Sequence, residues 1–311
     1  MRKALTTTLT LTAVAALGLG LGPVGALAGQ DRDHDRGGAG RGNDSKLAVI
    51  GLADAGTSLV SFSTNNPGRV RDIGAITGLT SDTAVIGIDY RVQNGRLYGV
   101  GDKGGLYTLN AKDAAAKKVG QLSVALQGMD FGVDFNPAAN ALRVISDTGQ
   151  NLRQPFPAAV RGTFADGPTA PTAVDGPLTR PVVPATTPPS RQAALGLTGA
   201  AYTNDDLDPS TAATLFDLDT ARDQVTIQSP ANSGMTAATG NLGVDFASTS
   251  GFDIYSKVRN GKAVEALPYA VSTVGGVATL YDVDLLTGAV ESDGAIGDPT
   301  VTDIAIPLNQ L

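Results

Sequence analysis

Residues 87–122 read GIDYRVQNGRLYGVGDKGGLYTLNAKDAAAKKVGQL, and this stretch decides the fold class. Its apolar residues come in four short runs, and the pairs Asn94-Gly95 and Gly104-Gly105 separate the first three. Such pairs favour tight hairpins because both residue types tolerate the positive φ angles that these turns need. The stretch therefore predicts a four-stranded antiparallel meander, which is the blade of a β-propeller when it is repeated.

Two phrases of this unit recur and set the number of blades. The first phrase reads GIDY at 87–90, GVDF at 132–135 and 243–246, and, in weaker copies, GAAY at 199–202 and VTDI at 301–304. The second is an amphipathic strand that reads LVSFS at 59–63, LYTLN at 106–110, LFDLD at 215–219 and LYDVD at 280–284. An all-β propeller of five blades is predicted, with first strands that begin near Val85, Phe131, Leu197, Leu242 and Val301.

The final copy of the first phrase, VTDI at 301–304, is not followed by the other strands of a blade. The strands near the start of the domain, in turn, lack a first strand of their own. We therefore expect residues 301–306 to complete the N-terminal blade, which closes the ring and removes exposed sheet edges. Six blades are an alternative, because the fourth predicted blade is a strand short and the fifth carries an insertion. A two-sheet sandwich is the main competing fold.

The first 28 residues have the pattern of a secretory signal peptide. A positive start, MRK, precedes an apolar run, and Ala-Leu-Ala at 26–28 supplies a cleavage site. An uncleaved membrane helix is the alternative, because the run approaches the ~18 residues that can span a bilayer. Residues 29–45 mix charges with glycines and predict a disordered linker, which leaves residues 46–311 as a single domain. A secreted protein, extracellular or associated with the cell envelope, is expected.

The composition excludes several kinds of chemistry. The chain has no Cys and no Trp, and its one histidine, His34, lies in the predicted linker. Thiolate metal sites, cysteine nucleophiles and Ser-His-Asp triads therefore have no residues from which to form in the predicted domain. A formal net charge of -7 argues against binding nucleic acid through its phosphates.

Residues 154–194 interrupt the repeat and are rich in proline. They predict a long polar loop between blades. Loops of this length are uncommon unless they are functional or disordered, so we expect either loose surface packing or a lid over a binding site.

The recurring aspartate of the first-strand phrase is the candidate metal site. Its members are Asp89, Asp134, Asp245 and Asp303. In a propeller this strand lines the central channel, so the carboxylates can converge on the axis and hold a hard cation such as calcium. The alternative is structural, in which each carboxylate accepts backbone N–H bonds. No other cofactor is expected.

Two further carboxylate pairs, Asp217 with Asp219 and Asp282 with Asp284, alternate along strands and so share one face of each strand. Paired carboxylates are used for acid and base work in glycoside hydrolysis. A solvated outer strand face is the simpler interpretation, and we expect that for both pairs.

Several phrases together carry a resemblance to a known family. They are GVDFNPAANALRVISDTGQNLRQPF at 132–156, GAAYTND at 199–205, SPANSGM at 229–235 and TLYDVDLLTGAV at 279–290. They resemble the bacterial exported family catalogued as domain of unknown function 4394, over roughly residues 47–307. Ala231 departs from the second proline that the family often has there. The resemblance implies a propeller-like fold and no established activity, and it supplies no catalytic residue.

The polar residues of these phrases are the candidate ligand-binding residues. They are Arg143, Asn151, Arg153, Tyr202, Asn204 and Asn232. Arginines beside amides can grip a carboxylate or a sugar acid, because the guanidinium fork matches planar anions. Such residues equally often hold loops by hydrogen bonds to backbone carbonyls.

The expected function is a monomeric, non-catalytic binding or interaction module, because no nucleophile, base and orienting group can be assembled from the sequence. Its partner would be an extracellular ligand, glycan or protein, without nucleic acid and without a membrane span after signal cleavage. A cation-dependent hydrolase or lyase that uses the channel carboxylates is the alternative.

Overall fold

The computed structural model describes residues 46–311, so the predicted signal peptide and linker lie outside the described residues. Within this range five four-stranded antiparallel sheets form a ring around a common axis. The all-β, five-bladed propeller predicted from the repeats is confirmed.

Strands are numbered along the chain, and each blade is given from its innermost strand outward. Blade 1 contains β22 (Val301–Ala305), β1 (Ala48–Ala53), β2 (Ser58–Ser63) and β3 (Asn66–Ala75). Blade 2 contains β4 (Val85–Arg91), β5 (Arg96–Gly101), β6 (Gly105–Leu109) and β7 (Ala116–Gln121). Blade 3 contains β8 (Phe131–Asn136), β9 (Ala141–Ser146), β10 (Asn151–Pro155) and β11 (Ala173–Val174).

The remaining elements complete the ring. Blade 4 contains β14 (Leu197–Tyr202), β15 (Leu215–Asp219), β16 (Gln224–Gln228) and β17 (Thr236–Asn241). Blade 5 contains β18 (Gly251–Arg259), β19 (Lys262–Val274), β20 (Val277–Val283) and β21 (Val290–Ala295). A separate hairpin, β12 (Thr179–Pro181) with β13 (Arg191–Ala193), precedes blade 4, and a short 3-10 helix spans Ala231–Ser233.

The C-terminal strand closes the ring as predicted. β22 pairs antiparallel with β1, so that Ile304 lies opposite Gly51, and its own neighbours around the axis are β4 and β18. Blade 1 is therefore built from both ends of the described chain. This arrangement leaves no inner strand without a partner.

The inner strands pack closely because glycine occupies one level of the ring in four of the five blades. A Cβ added to Gly132 would lie 2.6 Å from the Ala200 nitrogen, and one added to Gly251 would lie 2.5 Å from the Asp303 Cα. Only a residue without a side chain allows neighbouring backbones to approach this closely.

The fifth blade begins at Gly251, so the predicted start near Leu242 is wrong. Residues 242–246 form the first part of the connection between β17 and β18, with Leu242 and Phe246 buried in the core. The same connection after β7 reads LSVAL at 122–126 and buries Leu122 at the corresponding position. The phrase GVDF at 243–246 therefore matches the first-strand phrase in sequence but forms no strand, and the inner strand of blade 5 instead starts GFDIY at Gly251.

The proline-rich segment is partly built into the fold. β11 supplies the outer strand of blade 3, and Leu178 and Ala194 are buried beside blade 4. The expectation of loose packing therefore does not hold for residues 172–180 and 191–194.

An apolar core lies between each pair of neighbouring blades. Among the described residues, the core between blades 3 and 4 is the smallest, with Ile145, Leu197 and Leu215 among its members. Buried polar side chains occupy the space beside it.

Candidate axial site

Three carboxylates converge on the axis at one level. The strand registers place Asp89, Asp134 and Asp253 at equivalent positions of blades 2, 3 and 5, opposite Tyr98, Arg143 and Tyr269 respectively. All three are buried, and one carboxylate oxygen from each lies within 4.8 Å of the others. The equivalent positions in blades 4 and 1 are Ala201 and Ala305.

Each of these carboxylates is also bonded to the next blade. Asp89 Oδ2 accepts the Phe135 N–H at 2.7 Å, and Asp134 Oδ1 accepts the Tyr202 N–H at 3.0 Å. Asp253 Oδ2 accepts the Ile306 N–H at 2.6 Å and so joins blade 5 to blade 1. Asp89 Oδ1 also accepts the Tyr90 N–H. The carboxylates therefore fasten neighbouring inner strands together, while one oxygen of each lies close to one oxygen of the other two.

Burial and mutual repulsion disfavour three negative charges here. Burial raises the pKa of Asp89 and Asp134 well above the usual range, and the other carboxylates add to both shifts. Burial raises the pKa of Asp253 to about 6, against hydrogen bonds from Ile306 and Ile254. At neutral pH such a group either retains a proton or needs a cation nearby.

Asp205, which follows blade 4's inner strand, belongs to the same electrostatic group. Burial raises its pKa well above the usual range, and the charge of Asp253 adds to the shift. Its own charge raises the pKa of Asp89 and Asp134 in turn.

Two of the four predicted metal ligands lie elsewhere. Asp245 is exposed in the connection before β18, and Asp253 takes the place that was predicted for it. Asp303 is equivalent to Gly87 rather than to Asp89, because Ile304 lies opposite Gly51 as Ile88 lies opposite Gly99. Its Oδ2 accepts the Ile88 N–H at 2.8 Å. Asp303 therefore lies two residues before the level of the three carboxylates along the inner strands.

A depression of about 370 Å³ opens on the axis at the N-terminal ends of the inner strands. Each blade contributes one inner-strand or adjacent residue, namely Ile86, Phe131, Thr198, Ser250 and Thr302. The strand rise places the carboxylates about 10 Å further along the axis. The rim includes Met129, which is 85% exposed, and Thr249, whose hydroxyl donates to Asp130 Oδ1 at 2.6 Å.

Five of the six predicted ligand-binding residues come together, but they lie between blades 3 and 4. The buried guanidinium of Arg143 donates to Asn151 Oδ1 at 2.7 Å, to Asn232 Oδ1 at 2.8 Å and to Tyr202 Oη at 3.3 Å. Both Arg143 and Arg153 donate to Asp175, at 2.8 and 3.0 Å. Asn204 lies apart, in a loop where its amide donates to the Ala212 carbonyl.

This network joins structural elements. Asn151 also donates to the carbonyls of Gly176 and Ala231, so one side chain joins blade 3, the proline-rich segment and the 3-10 helix. Asp175, which anchors both arginines, was missed because nothing in a proline-rich stretch indicates a buried carboxylate. Asp253 carried a usable signal, since GFDI at 251–254 keeps the glycine and the aspartate of GIDY at 87–90 and has apolar residues on both sides of the aspartate.

The fold and the axial carboxylates define a class, a five-bladed propeller with an acidic axis. The model of the family described as "Domain of unknown function (DUF4394)" matches residues 58–305, and the chain belongs to this family. No curated protein matches the chain in sequence.

Solved structures resemble the chain in fold only. An auxiliary nutrient binding protein from Bacteroides ovatus is 13% identical with a TM-score of 0.39, and the match covers 79% of this chain and 56% of that one. A second one, from Bacteroides thetaiotaomicron, is 12% identical with a TM-score of 0.37, covering 79% and 58%. A protein of unknown function from the same species is 14% identical with a TM-score of 0.41, covering 85% and 68%. The chain spans less than two thirds of both nutrient binding proteins, and likeness at this level carries no argument about function.

The described residues contain no helix that is both long and apolar enough to cross a membrane.

Proposed function

We propose that this chain is an exported, non-catalytic binding module of the cell envelope or extracellular medium, and that its site is the axial depression. The observation that carries the proposal is that all five blades contribute to one cavity. A cavity at the junction of several elements, of a few hundred Å³, is the usual setting for a small ligand.

The lining indicates the kind of ligand. Met129, Phe131 and Ile86 offer apolar surface, whereas Asp130, Ser248 and Thr249 offer a carboxylate and hydroxyl groups. A glycan end has this combination of apolar faces and hydroxyls, so a glycan is the proposed ligand class. Calcium bound by Asp89, Asp134 and Asp253 would stabilise the inner strands beneath the site.

The ligand site is tested by binding of the mature protein to an array of soluble glycans, followed by titration calorimetry of any that bind. We expect Met129→Glu and Thr249→Ala to weaken binding at least tenfold without lowering stability, because both side chains are at the rim. Leu286→Glu is the control, because Leu286 is 78% exposed and does not line the depression. Glycan binding that is unaffected by the rim variants, or no glycan binding at all, would contradict the proposal.

A cation-dependent hydrolase or lyase is the second candidate, favoured by one observation. One carboxylate oxygen from each of Asp89, Asp134 and Asp253 lies within 4.8 Å of the others, and acid and base catalysis uses carboxyl groups held close together. The candidate requires calcium-dependent turnover of a glycan whose end extends from the depression to these carboxylates, about 10 Å further along the axis, and loss of that turnover in Asp253→Asn with binding retained. Binding without turnover in the wild-type protein excludes it for the glycans tested.

A further inference from the structure

Most of the hydroxyl groups that line the axial depression direct their hydrogens into the protein. The Thr302 hydroxyl donates to the Leu52 carbonyl at 3.2 Å, and the Ser250 hydroxyl donates to the Ala247 carbonyl at 2.6 Å. A carbonyl oxygen accepts hydrogen bonds and cannot donate them, so its position fixes where each of these hydrogens lies. These two hydroxyls therefore present lone pairs, and no hydrogen, to a ligand.

The Thr198 hydroxyl, at the start of blade 4, is committed in the same way. It lies 3.1 Å from the Thr220 hydroxyl, which in turn donates to the Gly196 carbonyl at 3.2 Å. Because the Thr220 hydrogen is directed to Gly196, Thr198 is the donor of the pair. Ser248 and Thr249 supply the remaining hydroxyls of the lining.

Asp130 is the only charged side chain among the described residues that line the depression. Its Oδ1 accepts the Thr249 hydroxyl at 2.6 Å, and a carboxylate has about four lone pairs, so both oxygens can accept further hydrogen bonds. Asp147 holds the backbone here, because its N–H donates to the Asp130 carbonyl at 3.0 Å and its Oδ1 accepts the Met129 N–H at 3.0 Å. The carboxylate is therefore an acceptor that is already held in position.

The hydrogen bond between Thr249 and Asp130 joins two blades that are not neighbours. Asp130 precedes β8 in blade 3, Thr249 precedes β18 in blade 5, and β14 of blade 4 lies between these inner strands. The bond therefore crosses above the start of β14, where Thr198 lines the depression. This places the Asp130 carboxylate at the mouth, where an entering ligand meets it.

The charges around the mouth are mostly negative. The proline-rich segment aside, the turns and connections at this end of the ring carry eight aspartates, namely Asp54, Asp82, Asp102, Asp130, Asp147, Asp223, Asp245 and Asp298. The cations in the same turns are Lys103 and Arg222, and neither lines the depression. A cleft with charges of one sign concentrates ligands of the opposite sign and repels those of its own sign. The depression therefore disfavours an anion, most of all beside Asp130.

The two carboxylates of β15 do not belong to this group. Asp217 and Asp219 are buried, because β15 is the second strand of its blade, so the prediction that they face solvent is wrong. Asp219 Oδ2 accepts from Arg180 at 2.7 Å, which neutralises its charge locally. Neither aspartate lines the depression.

We propose that the depression binds a sugar end that donates its hydroxyl hydrogens and carries no acidic group, and that Asp130 is the residue that determines this specificity. The inference rests on the proposed function, because it names the class of glycan that the same site takes. Neighbouring hydroxyls of a sugar ring can donate to the two oxygens of one carboxylate, and hydrogen bonds to an ionised acceptor are stronger than neutral ones. Phe131, half-buried beside Asp130, offers apolar surface to the ring. A carboxylate, phosphate or sulfate would instead bring acceptors to a lining that has few donors.

The experiment compares matched sugars by titration calorimetry with the full mature protein. The probes are oligosaccharides that end in glucose, galactose or mannose, each paired with a counterpart whose terminal C6 alcohol is a carboxylate. No calcium is added, because calcium can bridge two carboxylates. We expect a neutral sugar to bind and its acidic counterpart to bind at least tenfold more weakly.

Variants assign this preference to one residue. Asp130→Asn should weaken the neutral sugar at least tenfold and remove most of the preference, because an amide replaces one acceptor by a donor. Asp130→Ser, which keeps a partner for Thr249, takes its place if Asp130→Asn does not fold. Asp245→Asn is the control, because it removes the same charge from an exposed position at the same end of the ring. It should leave both affinities within about twofold.

Two measurements on the wild-type protein need no variant. Salt screens repulsion between like charges, so the acidic sugar should approach the affinity of the neutral one as the ionic strength rises. Deoxyfluoro analogues of the bound sugar keep an acceptor but lose a donor. We expect at least one of them to bind at least tenfold more weakly.

An acidic sugar that binds as tightly as its neutral counterpart would overturn the inference and leave the depression as a glycan site. Deoxyfluoro analogues that all bind like the parent sugar would do the same. A preference that the Asp130 variants leave unchanged would overturn the role of this residue. If no sugar of any pair binds, the proposed function itself fails and the inference fails with it, so the two kinds of failure are distinguishable.

Discussion

At the scale of single residues, the packing of the inner strands depends on positions without a side chain as much as on positions that carry one. Gly132 and Gly251 let neighbouring backbones approach, and Gly87 and Gly199 leave room for side chains of the next blade. Two residues after each of these glycines an aspartate or alanine faces the axis. The aspartates use this closeness, because their carboxylates reach a backbone N–H of the next blade.

Replacing one of these glycines tests that close approach. In Gly132→Ala the new Cβ would meet backbone atoms of Gly199 and Ala200 at 2.6–2.7 Å, and backbone cannot move aside as a side chain can. We expect a loss of about 1–3 kcal/mol in the free energy of unfolding, measured by urea denaturation. The control is Gly68→Ala, where the nearest atom, the Ala295 oxygen, lies at 3.3 Å. Equal losses in the two variants would argue against the close packing of the ring.

The buried ion pairs of the proline-rich segment give a second prediction for single residues. Asp175→Ala leaves Arg143 buried and without a carboxylate, which typically costs about 3–5 kcal/mol. Asp166→Ala is the matched control in the same segment, because its partner Arg96 has a side chain that is 56% exposed. That change should cost less than about 1 kcal/mol. A similar urea midpoint for both variants would mean that the Arg143 network does not stabilise the fold.

At the scale of elements, the C-terminal strand decides whether the ring closes. Ile304 on β22 is buried in the core shared by blades 5 and 1. We expect Ile304→Ala to cost about 2–5 kcal/mol, whereas Val277→Ala, at a half-exposed position of β20, should change stability by less than about 0.5 kcal/mol. Thermal unfolding followed by circular dichroism measures both, and a mild effect at Ile304 would contradict closure through β22.

The elements also show what a sequence can predict here. The hairpins of blade 2 were predictable because Gly95 and Gly104, both at positive φ, encode turns locally. The start of blade 5 was not, because a connecting loop and an inner strand share a four-residue phrase and only strand pairing distinguishes them. The burial of Asp217 was hidden for a similar reason, since it depends on how blade 4 packs against blade 3.

At the scale of the whole molecule, the acidic axis makes stability depend on pH. The pKa of Asp253 is raised to about 6 in the folded protein, from about 3.9 when unfolded, so the folded state holds this proton more tightly. Its stabilising contribution is therefore complete below about pH 4 and is lost as the pH rises through about 6. Asp89 and Asp134 shift in the same direction.

We accordingly expect the protein in chelator to lose about 2 kcal/mol of stability between pH 4.5 and pH 7.5 from Asp253 alone. Asp253→Asn should remove that part of the dependence. Urea denaturation of both proteins across this pH range measures the free energy of unfolding. A wild-type stability that rises with pH in chelator, and an Asp253→Asn stability that falls, would contradict the expected direction.

The measurement that tests the central claim most directly is thermal unfolding at pH 7.5 in calcium and in chelator, for the wild-type protein and two aspartate variants. Calcium at ~100 times its dissociation constant adds about 2.7 kcal/mol to stability by mass action. We predict that Asp253→Asn loses most of the axial part of this gain, and that Asp245→Asn, which changes an exposed loop residue, keeps all of it. A gain from calcium that is the same in both variants, or absent from the wild-type protein, would contradict an axial cation site.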